Sequence, residues 1–179
     1  MGLVFNPVIP TTPSIIVTSA KLKAGAETLK NYHEKNLGIK TSVVTVEEIN
    51  QSEKALSEED LPSGYKEKEE RDDFVIPFDG TKGTGYNYDL AKKIDQYLQS
   101  RMGDGSSLKY VTVLGDSEQV PPSYYFSYDS GTGKSFTPTD ACYGALKKCL
   151  EPKVAVGRLP FKDDSEVKNY IEKVDAWKS

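Results

Sequence analysis

Four short runs of β-branched and apolar residues, separated by stretches of helical period, constrain this chain more than any other feature. They are Ser14-Ile15-Ile16-Val17-Thr18, Thr41-Ser42-Val43-Val44-Thr45, Tyr110-Val111-Thr112-Val113-Leu114 and Lys153-Val154-Ala155-Val156-Gly157. Each is too short for a helix and does not alternate strictly with polar residues, which is the pattern of a strand buried on both faces. A sheet covered on both faces needs helices between its strands, and the intervening segments supply them. Residues 21–37 set Leu22, Ala26, Leu29 and Tyr32 on one side and stop at Gly38, the residue type that tolerates a left-handed helix end. Residues 46–50 form a short turn of helix or loop. Asn87 caps a helix running to Met102, with Leu90, Ile94, Tyr97 and Leu98 inward. Behind a cap at Asp164 or Ser165, residues Val167, Tyr170, Ile171, Val174 and Trp177 recur at steps of three and four. The order predicts an α/β fold: a three-layer α/β/α, Rossmann-like arrangement with a mainly parallel four-stranded sheet, plus a small hairpin near residues 141–146.

Length and charge narrow the classes. A chain of 179 residues can bury one full core, so residues 1–179 are expected to form a single domain. Its 23 basic and 27 acidic side chains leave a net charge of −4, which argues against a nucleic-acid surface. No run of about 18 apolar residues is present to span a membrane. Residues 1–5 lack the basic start and long apolar core of a secretory leader. The chain stops at Ser179 straight after the last helical stretch, so a piece of a longer polypeptide is expected. Thirteen of the 21 residues from 53 to 73 are charged, which predicts a solvated, mobile insertion rather than a linker. Residues 74–78 rejoin the body before a Gly-rich turn at 80–85, and residues 117–139, rich in Pro, Ser and Tyr, read as a long loop.

In parallel sheets, chemistry collects at the carboxyl ends of the strands. Here those ends are Thr18–Ser19, Thr45, Gly115–Asp116 and Gly157–Arg158. Asp116 could hold a cation or accept a phosphoryl group, but no acidic pair follows the first strand, and a carboxylate accepting N–H bonds of the next loop is the simpler reading. Arg158 needs a carboxylate to offset its desolvation, and Asp116 or Asp140 could serve. Residues 130–135 (Ser-Gly-Thr-Gly-Lys-Ser) mimic a phosphate loop, yet Tyr128 stands where the pattern requires Gly, and no helix can open at residues 136–139. Residues 50–52 match a glycosylation acceptor, a pattern common by chance. Two cysteines and one histidine cannot build a zinc site by themselves. Nor do His33 and Cys142, or Cys149 in its place, sit in a context that would make a thiolate–imidazole couple. The cysteines either cross-link over a hairpin or are small buried hydrophobes. No cofactor signature is present, and calcium binding is left undecided.

Several phrases taken in order resemble gingipain-type cysteine peptidases. They are residues 14–19 (Ser-Ile-Ile-Val-Thr-Ser), 37–40 (Leu-Gly-Ile-Lys), 46–49 (Val-Glu-Glu-Ile), 108–116 ending in Gly115-Asp116, and 120–122 (Val-Pro-Pro). Thr139-Asp140, Tyr143-Gly144 and residues 154–160 (Val-Ala-Val-Gly-Arg-Leu-Pro) complete the series. The resemblance implies a caspase-like catalytic unit of two α/β halves, of which this chain is the first. In that family the catalytic histidine, in a His-Gly context, and the cysteine nucleophile lie in the second half, and neither has a counterpart here. The resemblance therefore implies no catalytic residue in this chain and a C-terminal catalytic half of the same parent as partner. It also implies a peptide substrate met through that parent, and a secreted or cell-surface location. It puts Glu166 near an acidic position that recognises a basic side chain; Glu166 and Asp140 are expected to bind substrate at the rim, and Asp116 and Arg158, on the residue reading above, to be structural. Two other readings remain at this level: a peptidase-like module without activity that binds partners through residues 124–128 (Tyr-Tyr-Phe-Ser-Tyr), and a stand-alone regulatory domain using Asp116.

Overall fold

The computed structural model describes residues 12–52, 88–102, 106–129, 133–146 and 149–178. The charged stretch 53–73, the segments 74–78 and 80–85, Asn87 and residues 1–5 lie outside the described residues. In chain order the elements are β1 (Ser14–Thr18), α1 (Lys23–Tyr32), β2 (Thr41–Thr45), α2 (Val46–Ser52), α3 (Tyr88–Gln99) and β3 (Tyr110–Leu114). There follow β4 (Ser123–Asp129), β5 (Gly133–Thr139), β6 (Ala145–Leu146), β7 (Glu151–Pro152), β8 (Ala155–Leu159) and α4 (Asp164–Lys178).

The main sheet has the order β2-β1-β3-β8 and is parallel throughout, with Ser14 opposite both Thr41 and Tyr110, and Tyr110 opposite Ala155. Every residue of β1 is buried, as its central place requires. Strand alternation sends Ile15, Val17, Val111 and Val113 to one face, where they meet Ile49, Ile94, Leu98 and Tyr143. Ile16 and Leu114 go to the other, against Leu22, Ala26 and Leu29 of the first helical segment and Val167 of α4. Each of the valine, leucine and isoleucine side chains contributes about 1.5–3 kcal/mol by burial, and the two clusters make the three layers. β2 lies on one side of β1, and β3 and β8 on the other. The chain therefore switches direction between β1 and β3, which opens a crevice at their carboxyl ends.

The first helical segment ends as its sequence requires. A π-type turn (His33–Leu37) follows α1, and Gly38 adopts φ +67°, with Ile39 N–H donating to His33 O at 3.2 Å. Gly25 is needed for a close approach: an added Cβ would lie 2.6 Å from Asp164 Oδ1, which accepts the Gly25 N–H at 2.8 Å and ties α1 to α4.

Several expectations shift. The last strand of the sheet begins two residues late: Lys153 and Val154 donate their N–H groups to Gly144 O (2.8 and 3.1 Å), and the ladder starts only where Ala155 N–H reaches Lys109 O. Arg158 thus lies inside the strand, and the true carboxyl end is Leu159. Residues 117–139 hold an antiparallel hairpin, β4 with β5, because Tyr, Phe and Thr favour strands despite the neighbouring Pro and Ser. The helix expected to reach Met102 ends at Gln99 and tightens into a turn, with Met102 N–H on Gln99 O. Asp163, not Asp164 or Ser165, caps α4: its Oδ1 accepts the N–H groups of Ser165 (2.9 Å) and Glu166 (3.1 Å). The small pairing expected within 141–146 instead joins β6 to β7 at Glu151–Pro152, because Asp140–Gly144 form a 3-10 helix rather than a first strand. Among the described residues no helix is long and apolar enough to cross a membrane.

Candidate functional site at the carboxyl ends of the strands

The crevice is built around Arg158. From within β8 its guanidinium forms a two-pronged pair with Asp140, Nε to Oδ2 and Nη2 to Oδ1, both at 2.7 Å. Its Nη1 donates to three carbonyls of the segment after β3: Gly115 O at 2.8 Å, Val120 O at 2.9 Å and Asp116 O at 3.2 Å. A planar fork suits this geometry, where a lysine ammonium could not serve two directions at once. Sequence reasoning allowed Asp116 or Asp140 as the partner, and the structure selects Asp140.

Asp116 turns the other way. Its Oδ1 accepts the N–H groups of Glu118 and Gln119, both at 3.1 Å, and its own N–H donates to Gln119 Oε1. The turn needs Gly115 at φ +132°, a region closed to most side chains, and an added Cβ there would lie 3.1 Å from the Gln119 side chain. Gln119 Nε2 also donates to Lys162 O at 3.3 Å, and Lys162 N–H donates to Glu166 Oε2 at 2.7 Å. Asp140, Arg158, Asp116 and Glu166, remote in sequence, are therefore linked through Gln119 and Lys162. Gln119 carried no sequence signal. The two helix starts did carry a signal, since Thr45 with Glu48 and Asp163 with Glu166 have the spacing of a capping box, and it points to Asp163 rather than to Asp164 or Ser165.

The remaining strand ends are closed by local bonds. Thr18 Oγ1 donates to Leu114 O at 2.9 Å, and Ala20 N–H donates to Glu47 Oε2 at 2.9 Å. At the end of β2, Thr45 N–H reaches Glu48 Oε2 and Glu48 N–H reaches Thr45 Oγ1. The Lys23 ammonium, 2.6 Å from Glu48 Oε1, holds that carboxyl below its ordinary range and is itself raised.

No thiolate–imidazole couple can form from these parts. Cys142 and Cys149 are bonded to each other, bridging the turn before β6 to the one before β7. His33 follows α1, which runs from the carboxyl end of β1 back toward the start of β2, so the only imidazole sits at the opposite end of the sheet. Its burial lowers its pKa, and its ring meets Tyr32 edge-on. Residues 133–139 form a strand, which removes the context a phosphate loop needs.

The sequence profile of Peptidase family C25 matches residues 10–179. The chain belongs to this family. It is 36% identical over 168 residues to an uncharacterized protein of Archaeoglobus fulgidus, covering 92% of this chain and 35% of that protein. The fold is similar to the crystal structure of the Arg-specific cysteine proteinase gingipain R, with a TM-score of 0.54 and 17% identity over 94% of this chain and 29% of that one. It also resembles dimeric latent PorU from Porphyromonas gingivalis, with a TM-score of 0.51 and 14% identity over 92% of this chain and 15% of that one. The C25 chain thus spans about a third of the length of the curated relative it matches.

Proposed function

We propose that this chain is the N-terminal, non-catalytic half of a cysteine endopeptidase unit. In this reading a second half supplies a thiolate that attacks the peptide carbonyl and a histidine that serves as its acid–base partner. The family assignment supports a peptidase module, and one observation favours the non-catalytic role: both cysteines are joined to each other while the single histidine lies at the far end of the sheet. A nucleophile and its base must come within about 2.6–3.2 Å, and the disulfide-bonded cysteines leave no cysteine–histidine pair in this chain that can do so.

What the chain contributes is a rigid rim. The Asp140–Arg158 clamp holds the segment after β3, and Gln119 ties that segment to the start of α4. Asp140 shapes this rim with its carboxylate already on Arg158. Glu166 is exposed and has one carboxylate oxygen on Lys162 N–H, which leaves the other for a basic substrate group. The parent would work outside the cell, where the Cys142–Cys149 bond persists.

The deciding experiment is hydrolysis of fluorogenic peptides by the polypeptide encoded by the uninterrupted reading frame. Turnover is expected, absent from residues 1–179 alone and abolished by replacing a cysteine encoded downstream. A downstream sequence lacking both a His-Gly phrase and a cysteine after an apolar strand would end this reading. It would favour instead a module that binds partners through the β4–β5 hairpin, where Tyr125, Thr137 and Pro138 are exposed.

A further inference from the structure

Glu166 is exposed in the first turn of α4, yet its carboxylate is not free to swing. Oε2 accepts the Lys162 N–H at 2.7 Å, so the carboxylate lies where the Lys162 peptide puts it. That peptide belongs to the short connection 160–163 between β8 and α4. Phe161 anchors the connection on one side, with its N–H on Leu159 O at 2.8 Å and its ring 5.6 Å from Tyr170. Asp163 caps the helix on the other. Lys162 between them is exposed, and its carbonyl is held from the neighbouring strand end by Gln119 Nε2 at 3.3 Å.

The other end of the Gln119 side chain is fixed as well. Oε1 accepts the Asp116 N–H at 3.2 Å, and Gln119 N–H donates to Asp116 Oδ1 at 3.1 Å. The same turn has the carbonyls of Gly115, Asp116 and Val120 on Arg158 Nη1. Gln119 therefore carries the position of the Arg158 clamp across to Lys162, and through that residue's peptide to Glu166. An amide suits this place: it accepts at Oε1 and donates at Nε2, where a carboxylate could not donate and an ammonium could not accept. It is also neutral, so it adds no cation to compete for Glu166.

We propose that Gln119 is a positioning residue for substrate: through the Lys162 peptide it aims the second oxygen of Glu166 at a basic substrate side chain. The inference rests on the reading of Glu166 as a substrate group and adds the residue that orients it. Gln119 itself does not touch the substrate. A glutamate on a helix surface has several rotamers, and ordering it during binding costs affinity. A carboxylate already held by one oxygen avoids much of that cost and presents the other in a fixed direction to a guanidinium or ammonium. Losing Gln119 loosens Lys162 and with it the carboxylate, an effect on the order of one neutral hydrogen bond, or about fivefold in binding.

Steady-state kinetics on the polypeptide encoded by the uninterrupted reading frame test this with two fluorogenic peptides. They differ only in arginine or citrulline before the scissile bond, so they match in shape and differ in charge. Gln119→Met keeps the length of the side chain and removes both of its hydrogen bonds. It is expected to raise KM for the arginine peptide about fivefold with kcat within about twofold, and to leave the citrulline peptide unchanged. Glu166→Gln keeps an acceptor for Lys162 N–H and removes the charge. In that background Gln119→Met should have no further effect on the arginine-to-citrulline ratio of kcat/KM. Equal losses on both peptides, or an undiminished effect in the Glu166→Gln background, would make Gln119 a structural residue only and overturn the inference. So would hydrolysis without preference for arginine, an outcome that leaves the peptidase reading standing. No hydrolysis of either peptide would defeat the peptidase reading and this inference with it.

Discussion

Asp95 offers the sharpest test of the energetics. It lies on α3, is 5% exposed, and accepts a hydrogen bond from Ser123 Oγ at 2.8 Å through Oδ2. The Lys92 ammonium is 3.7 Å from the same oxygen, while Oδ1 has no partner. Burial dominates the attraction of Lys92 and pushes the carboxyl up from 3.8 to about 6. A carboxyl whose folded pKa exceeds its unfolded value favours folding while protonated. That contribution is complete below about pH 4 and is lost as pH rises through about 6. The shift corresponds to about 3 kcal/mol between the two limits. Asp95→Asn removes the titration while keeping the shape and the acceptor for Ser123. Against that gain, which is already net of the attraction to Lys92, stands an amide N–H₂ that needs its own acceptor, about 1–2 kcal/mol. The variant should therefore be more stable than the parent by about 1–2 kcal/mol at pH 7.5, and equal or less stable at pH 4.5. Urea unfolding of both proteins at half-unit steps between these pH values measures the difference directly. Parallel stability curves over this window, or an advantage for the asparagine variant only on the acid side, would refute the reasoning.

Three further outcomes are expected. Arg158→Ala leaves Asp140 and three carbonyls without their donor and should cost about 3–5 kcal/mol in urea unfolding, so a loss under 1 kcal/mol would contradict the clamp. Opening the Cys142–Cys149 bond, with a sequence separation of 7, should cost about 2.5 kcal/mol by loop entropy. The urea midpoint of Cys142→Ala/Cys149→Ala, matched by the reduced parent, checks this. Gly38→Ala should cost about 1–2 kcal/mol for its left-handed backbone alone, whereas Gly115→Ala adds contact with Gln119 and should cost more. Equal melting temperatures for the two alanine variants would contradict that ranking.

Much of this architecture could be read along the chain because it follows from neighbouring residues. Short, β-branched runs such as Ile15-Ile16-Val17 favour strands with two covered faces, and the period of Leu22, Ala26 and Leu29 favours a helix with one buried side. Gly38 ends that helix for a reason contained in its own backbone. The shortage of chemistry was also plain, since one histidine and two cysteines offer few ways to build a dyad.

What one dimension could not carry was the choice among partners distant in sequence. Strand β8 begins at Ala155 because Gly144 O captures the two preceding N–H groups, and no periodicity signals that capture. Arg158 pairs with Asp140, 18 residues away, rather than with Asp116, because the Asp116 carboxylate is already folded back on its own turn. The burial that raises Asp95 and the union of the two cysteines likewise exist only once the segments are stacked. Local pattern determines which elements form, since backbone conformation and hydrophobic period act over a few residues. Packing alone decides which polar groups meet and which surfaces stay open, since desolvation and hydrogen bonding depend on distances in space.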